Sequence, residues 1–426
     1  MFFFDIFANI RLLWAHYFHY LIFYYTMPEL STRAKELPFS PIRKLRPLAD
    51  AARAKGIKIY SLNIGQPDIE SPVEGLEALR HIDRKVLEYS NSDGLPSYRR
   101  KLVEYYATFG ITISPDDIIV TTGGSEALQL AFSACLNPGD EIIMTEPAYA
   151  NYISFALQLG VEVRSVVTDI RNGYALPSTK EFEKLITPRT KAIIICNPNN
   201  PTGYLYTHEE MMQIRDLVKR HDLYLFSDEV YREFRYSDER YTSALHLEGI
   251  EDNVVLIDSV SKRYSECGIR IGAFITRNKT LHNAVMKFAQ ARLCPPLLGQ
   301  IVAEASIDAP QSYIDAIRTE YIERRNLLVN GLNDIPGVYS PMPNGAFYTM
   351  VHLPIDDSER FCRWLLEDFN LDGETVMLAP GTGFYSEYED GRDKVRIAYV
   401  LKKTDLERAL LILRRALEAY PGRTDL

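Results

Sequence analysis

Short apolar runs recur along this chain at 118–121, 141–144, 192–195, 223–226 and 254–257, separated by longer amphipathic stretches such as 209–220. Apolar runs this short, without polar alternation, predict strands buried on both faces. Strands alternating with helical patterns call for a mostly parallel sheet covered by helices on both sides. That pattern governs residues 58–400. The segment after Met27 and the region beyond Asp308 read differently, with helices first and then scattered strands around Gly345-Ala346-Phe347-Tyr348 and at 394–399. These two ends predict one smaller α+β domain, giving 27–75 as an N-terminal arm and part of that domain, 76–308 as the large domain, and 309–426 as the rest.

At 426 residues, the chain is long enough for two domains. Its 48 basic and 57 acidic residues leave a net charge of −9 without a basic run, which argues against nucleic acid as a partner. The five cysteines, Cys135, Cys196, Cys267, Cys294 and Cys362, show no C-x-x-C spacing. An odd, dispersed set suits reduced thiols in the cytoplasm, and the histidines have no metal-ligand spacing, so no metal is expected.

The first 26 residues, MFFFDIFANIRLLWAHYFHYLIFYYT, are unlike the rest. They lack the basic n-region and the cleavage site of a signal peptide. The uncharged run after Arg11 is interrupted by His16 and His19, short of the roughly 20 apolar residues of a membrane span. Translation starting at Met27 is the expectation, with a membrane-associating helix as the alternative.

Chemistry concentrates just after the predicted strands. Ser259-Val260-Ser261-Lys262 follows one of them and precedes Gly268-Ile269-Arg270-Ile271-Gly272. A lysine there can form an imine with an aldehyde, while the hydroxyls and the guanidinium hold a phosphate. That is the equipment of a pyridoxal-phosphate enzyme, although a surface lysine among polar residues has the same local sequence. Thr121-Thr122-Gly123-Gly124-Ser125-Glu126 reads as strand, glycine turn and helix start, which either seats a phosphate or merely caps a helix. Asn197-Pro198-Asn199-Asn200-Pro201-Thr202-Gly203 is a rigid loop that can aim the Asn200 amide, or else a simple turn. In Phe226-Ser227-Asp228-Glu229-Val230-Tyr231, burial of Asp228 demands a cation unless the segment is only an acidic loop.

In this order, these segments resemble the class I/II aminotransferases, the aspartate-aminotransferase-like branch of fold type I pyridoxal-phosphate enzymes. The resemblance spans about residues 31–420 and carries N-P-x-N-P-T-G, D-E-x-Y and S-x-S-K-x-x-x-x-x-G-x-R-x-G. It implies an α/β fold with a seven-stranded, mostly parallel sheet. It also implies that Lys262 holds pyridoxal 5′-phosphate as an imine, Asp228 faces the pyridine nitrogen, and Asn200 and Tyr231 meet the ring oxygen. The phosphate cup corresponds to Gly124, Ser125, Ser259, Ser261 and Arg270, and Tyr149 to the ring that stacks on the cofactor. Tyr89 corresponds to a tyrosine reaching the partner's phosphate, which implies a homodimer with shared active sites. Arg396 corresponds to the arginine on the substrate α-carboxylate, and Gly65 to the glycine lining its other side.

The substrate is less sharply marked. Arg292, in Gln290-Ala291-Arg292-Leu293-Cys294-Pro295-Pro296, lies near where some members bring a second arginine from the neighbouring subunit to a distal carboxylate. The spacing to the two prolines differs, and an interface ion pair is the other reading. The expectation is aspartate or glutamate as donor and 2-oxoglutarate as acceptor. An aromatic or broad-range aminotransferase and a C–S β-lyase are the alternatives. A DNA-binding sensor built on this fold would need an extra helix-turn-helix domain, which 26 residues cannot supply.

Overall fold

Strands β2, β3 and β7 are buried at every position, as apolar runs without alternation require. A computed structural model of the chain describes residues 28–237 and 240–424. The strands are β1 (Lys58–Ser61), β2 (Ile118–Thr121), β3 (Glu141–Glu146), β4 (Glu162–Val167), β5 (Thr190–Cys196) and β6 (Tyr224–Asp228). They continue with β7 (Val254–Ser259), β8 (Gly272–Ile275), β9 (Tyr348–His352), β10 (Glu374–Met377), β11 (Ala379–Pro380) and β12 (Lys394–Ala398).

Strands β2 to β8 form one seven-stranded sheet in the order β2-β8-β7-β6-β5-β3-β4. Only β8 runs against its neighbours; the other pairs are parallel. Because β2 and β7 both oppose β8, they point the same way. The C-terminal ends of β2, β5, β6 and β7 therefore open on one edge, where sheets of this kind gather ligands. Along β7, Val255 and Ile257 pack into one core while Val254 and Leu256 pack into the core on the other face. The helix His208–His221 covers the sheet and starts at a capping box, Thr207 with Glu210. It ends at Asp222 in the left-handed region, φ 50°.

Two strands of the seven-stranded sheet escape the sequence pattern. Strand β4 is a half-exposed edge whose Glu162, Arg164 and Ser165 dilute the apolar signal, and β8 spans four residues beginning with glycine. The strand expected around 345–348 begins only at Tyr348, because Ala346 adopts φ 54°, which breaks extended pairing.

Strand β1 pairs in parallel with β10, Lys58 opposite Glu374, while β11, β12 and β9 make a separate antiparallel sheet. This pairing of distant segments supports a small domain drawn from both parts of the chain, with boundaries that we propose near residues 75 and 308. The chain divides into two compact units, Met1–Pro38 and Phe39–Leu426. Described residues of the first include the short helix Thr32–Glu36, capped by the Ser31 side chain. The expectations for residues 1–26 fall outside the described residues. Among the described residues no helix is long and apolar enough to cross a membrane.

Phe226 is fully buried in β6 and stacks on Phe132 at 5.6 Å, two residues before the sheet edge. Phe226→Ala should cost about 3–5 kcal/mol, read as a lowered midpoint in urea denaturation.

Candidate active site

At that sheet edge a cavity of about 710 Å³ opens. Twelve of the expected site residues line it: Gly65, Gly124, Ser125, Tyr149, Asn200, Asp228, Tyr231, Ser259, Ser261, Lys262, Arg270 and Arg396. Tyr89 and Arg292 do not. Tyr89 is 77% exposed, and Arg292 is engaged elsewhere, with its Nε 3.0 Å from Glu126 and its Nη2 donating to the carbonyls of Ser92 and Val120.

The turn after β2 begins the helix Gly123–Cys135, placing Gly124 and Ser125 in its first turn with free N–H groups. Gly123 has φ 75°, and a Cβ there would lie 2.3 Å from the Arg270 guanidinium. Glycine thus lets Arg270 close the same cup. Strand β7 ends in Ser259, whose Oγ caps the helical turn Val260–Arg263 by accepting from Ser261 N at 3.2 Å. That turn carries Lys262. Its Nζ donates to the Gly65 carbonyl at 2.9 Å and lies 3.9 Å from the Cys267 sulfur. Ser259 Oγ donates to Ser261 Oγ at 2.9 Å, and Arg270 donates to the Cys267 carbonyl at 3.0 Å. Backbone N–H groups, two hydroxyls and a guanidinium converge here, a donor set suited to a phosphate.

Asp228 terminates β6 and is 5% exposed. One carboxylate oxygen accepts from Tyr152 Oη at 2.6 Å and the other from Val230 N at 3.3 Å. Neither donor is cationic. Burial pushes this carboxyl up to about 6, and the nearby Asp258 and Glu229 act in the same direction. Beneath it, Glu229 pairs with Arg232 and Asp258 with Arg263 at 2.6 Å, so those buried charges are already compensated. Of these three carboxylates, Asp228 is the one left without a cation.

Arg396, on β12, is 1% exposed and among the described residues has no carboxylate partner. Its Nη1 donates to Asn200 Oδ1 at 3.0 Å and its Nη2 to the Asn63 carbonyl, while its buried Nε lacks any partner. Tyr348 and Phe384 rings flank the guanidinium carbon at 4.4 and 4.9 Å. Burial lowers its pKa, the mark of a cation short of a counter-ion. An incoming carboxylate would supply one. Asn200 also reaches Tyr231 Oη at 3.4 Å, and Tyr231 meets Tyr348 Oη at 3.1 Å.

Sequence reasoning passed over Tyr348, Tyr152 and Asn63. Tyr348 was legible only as a strand residue, yet it explains Gly65: a Cβ at 65 would sit 1.7 Å from the Tyr348 hydroxyl. Arg43 and Cys267 also line the cavity and were not singled out as site residues.

The model of the family described as aminotransferase class I and II matches residues 57–413. A putative aminotransferase, YugH, from Bacillus subtilis is 33% identical over 91% of this chain and 98% of its own length. The aspartate aminotransferase of Thermotoga maritima is 34% identical over 83% of this chain and 92% of its own. A solved structure of an aspartate aminotransferase from Thermotoga maritima, 32% identical, superposes with a TM-score of 0.83, covering 92% of this chain and 100% of that one. An alanine aminotransferase structure from Pyrococcus furiosus, 31% identical, also gives 0.83 and covers 91% of this chain and 99% of its own.

The uncompensated carboxylate has a thermodynamic signature. Held near 6 in the folded protein against an ordinary 3.8, Asp228 binds more protons folded than unfolded between those values. Stability of the cofactor-free protein therefore falls as pH rises through that window, and the loss is complete above it. Asp228→Asn removes the charge, so it should stabilise the cofactor-free protein by on the order of 2 kcal/mol at pH 8 and by almost nothing near pH 4. Urea midpoints at the two pH values measure this.

Proposed function

Because the chain belongs to the class I and II aminotransferases, we propose that it moves an amino group from L-aspartate or L-glutamate to a 2-oxo acid such as 2-oxoglutarate, in a ping-pong reaction. The observation that carries this reading is the pairing of a buried carboxylate without a cation, Asp228, with a buried guanidinium without an anion, Arg396, in one cavity with Lys262. Members of this family use pyridoxal phosphate, and the residues present fit it. The orphaned Asp228 charge suits a protonated ring nitrogen, and the cup of Gly124, Ser125, Ser259, Ser261 and Arg270 suits its phosphate. Lys262 would hold the cofactor covalently, with Asn200 and Tyr231 at the ring oxygen and Tyr149 against its face. When bound, the cofactor supplies an electron sink for the charge left on the substrate α-carbon as its proton departs.

The chain's own groups do the rest. Arg396 orients the substrate by forking onto its α-carboxylate, for which its unpartnered Nε is available. Lys262 Nζ is the base that takes the α-proton, and the Gly65 carbonyl 2.9 Å away keeps it directed into the cavity. Asp228, kept ionised by the ring cation, holds the proton on the ring nitrogen. Exposed Tyr89 is free to enter a second copy's site, which supports a homodimer as the functional unit. The five free cysteines suit a reducing compartment such as the cytoplasm.

The solved alanine aminotransferase favours a second reading, a broader enzyme accepting alanine. Single-turnover absorbance of cofactor-loaded protein separates these. Aspartate or glutamate should convert the cofactor to its aminated form faster than alanine or tyrosine. Equal rates would support the broad-range reading, and pyruvate released from a cysteine conjugate without amination would replace transfer by β-elimination. Lys262→Ala should lower turnover at least about 10³-fold and abolish the lysine-linked cofactor band, with circular dichroism unchanged.

A further inference from the structure

Four cations line the cavity, Arg43, Lys262, Arg270 and Arg396, against one carboxylate, Asp228. Three of the four have work under the proposed function: Lys262 on the cofactor, Arg270 on its phosphate and Arg396 on the α-carboxylate. Arg43 has none. Among the described residues its guanidinium makes no hydrogen bond or ion pair, and it is exposed on the cavity side of a turn at 41–45. The Tyr149 hydroxyl, which burial pushes up to about 12, feels the opposing charge of both Arg396 and Arg43. The two guanidiniums therefore act on one aromatic ring of the site.

The turn that carries Arg43 is anchored rather than loose. Arg43 N and Lys44 N both donate to the Ser40 carbonyl, at 3.0 and 2.9 Å. Pro41 packs against Gly383 so closely that a Cβ there would lie 2.1 Å from the proline ring. The Lys44 ammonium pairs with Glu359. Asn63 then ties the turn to the substrate arginine: its side-chain amide donates to the Ile42 carbonyl at 2.8 Å, and its own carbonyl accepts from Arg396. Asn63 is 1% exposed, so this bridge is shielded from water. One buried residue thus links the turn bearing Arg43 to Arg396.

We infer that Arg43 binds the distal carboxylate of a dicarboxylic substrate and is the residue that selects aspartate and glutamate. The inference rests on the aminotransferase reading, in which Arg396 takes the α-carboxylate. Arg292 is the poorer candidate. It does not line the cavity, and its ion pair with Glu126 is more than four-fifths buried on both sides (18% and 16% exposed). An Arg292 supplied by a second copy would have to leave the same pairing. Arg43 has no partner to leave, and a guanidinium can fork onto a carboxylate with two parallel hydrogen bonds.

The test uses the full cofactor-loaded protein with Arg43→Met, Arg43→Lys and Arg292→Lys. Two quantities are read: the ratio of single-turnover kcat/KM for aspartate over alanine, and the calorimetric Kd of maleate compared with propionate. Arg43→Met should lower the aspartate-to-alanine ratio and the maleate-to-propionate affinity ratio each about 10–100-fold. Arg43→Lys should recover part of both, and Arg292→Lys should move neither by more than about threefold. Unchanged ratios in Arg43→Met, or ratios that fall in Arg292→Lys instead, overturn the inference. If no amino acid tested aminates the cofactor of the parent protein while maleate binding still depends on Arg43, the transfer reading fails and the dicarboxylate site stands.

Discussion

A carboxylate, Asp228, lies at the end of a central strand with a tyrosine hydroxyl and a backbone N–H against it and no cation. Leaving such a group ionised inside a protein is costly, and its raised proton affinity measures that cost. The surroundings do not relieve it. The carboxylates nearest in sequence and space, Glu229 and Asp258, are matched by Arg232 and Arg263. The sheet therefore delivers one unpaired negative charge to the cavity floor. Opposite it, β12 delivers one unpaired positive charge, Arg396. Under the proposed function their partners of opposite sign are the cationic cofactor ring and the substrate carboxylate.

The fold positions these charges by simple means. Parallel strands β5, β6 and β7 end together, with Asn200 in the loop after β5, Asp228 at the last position of β6 and Lys262 in the helical turn after β7. The three-stranded sheet contributes the side proposed for the substrate, with Arg396 and Tyr348 on adjacent strands, β12 and β9. Asn63, beyond β1, links that side to the turn bearing Arg43. Under the proposed function, specificity and chemistry sit on different elements, so the substrate range can change without disturbing the residues assigned to the cofactor.

Much of this architecture was legible in sequence because the strand runs are buried on both faces and the cavity's polar residues follow them directly. Lys262, Asp228 and Asn200 each stand within a few residues of a strand end, so local pattern found them. Tyr348 and Asn63 were hidden because their roles come from contacts across the fold: Tyr348 meets Tyr231 and lies over Gly65, and Asn63 meets Arg396. No local spacing encodes such pairs. Arg292 was marked by resemblance to an arginine that some members supply from the neighbouring subunit, although its spacing to Pro295 and Pro296 differs; within one copy it pairs with Glu126 in the first turn of a helix, a contact across the fold that no local spacing encodes. Strand β4 escaped because an edge strand tolerates charge, and β8 because four residues are too few to show a period.

Under the proposed function, a ring cation compensates the buried Asp228 carboxylate. The most direct measurement is the NMR chemical shift of pyridoxal phosphate labelled at its ring nitrogen and bound to this protein, compared with Asp228→Ala. A protonated ring nitrogen at neutral pH in the parent protein, shifting to the neutral pyridine range in the variant, is the predicted result. The same shift in both proteins would contradict the claim that this buried carboxylate holds the proton there.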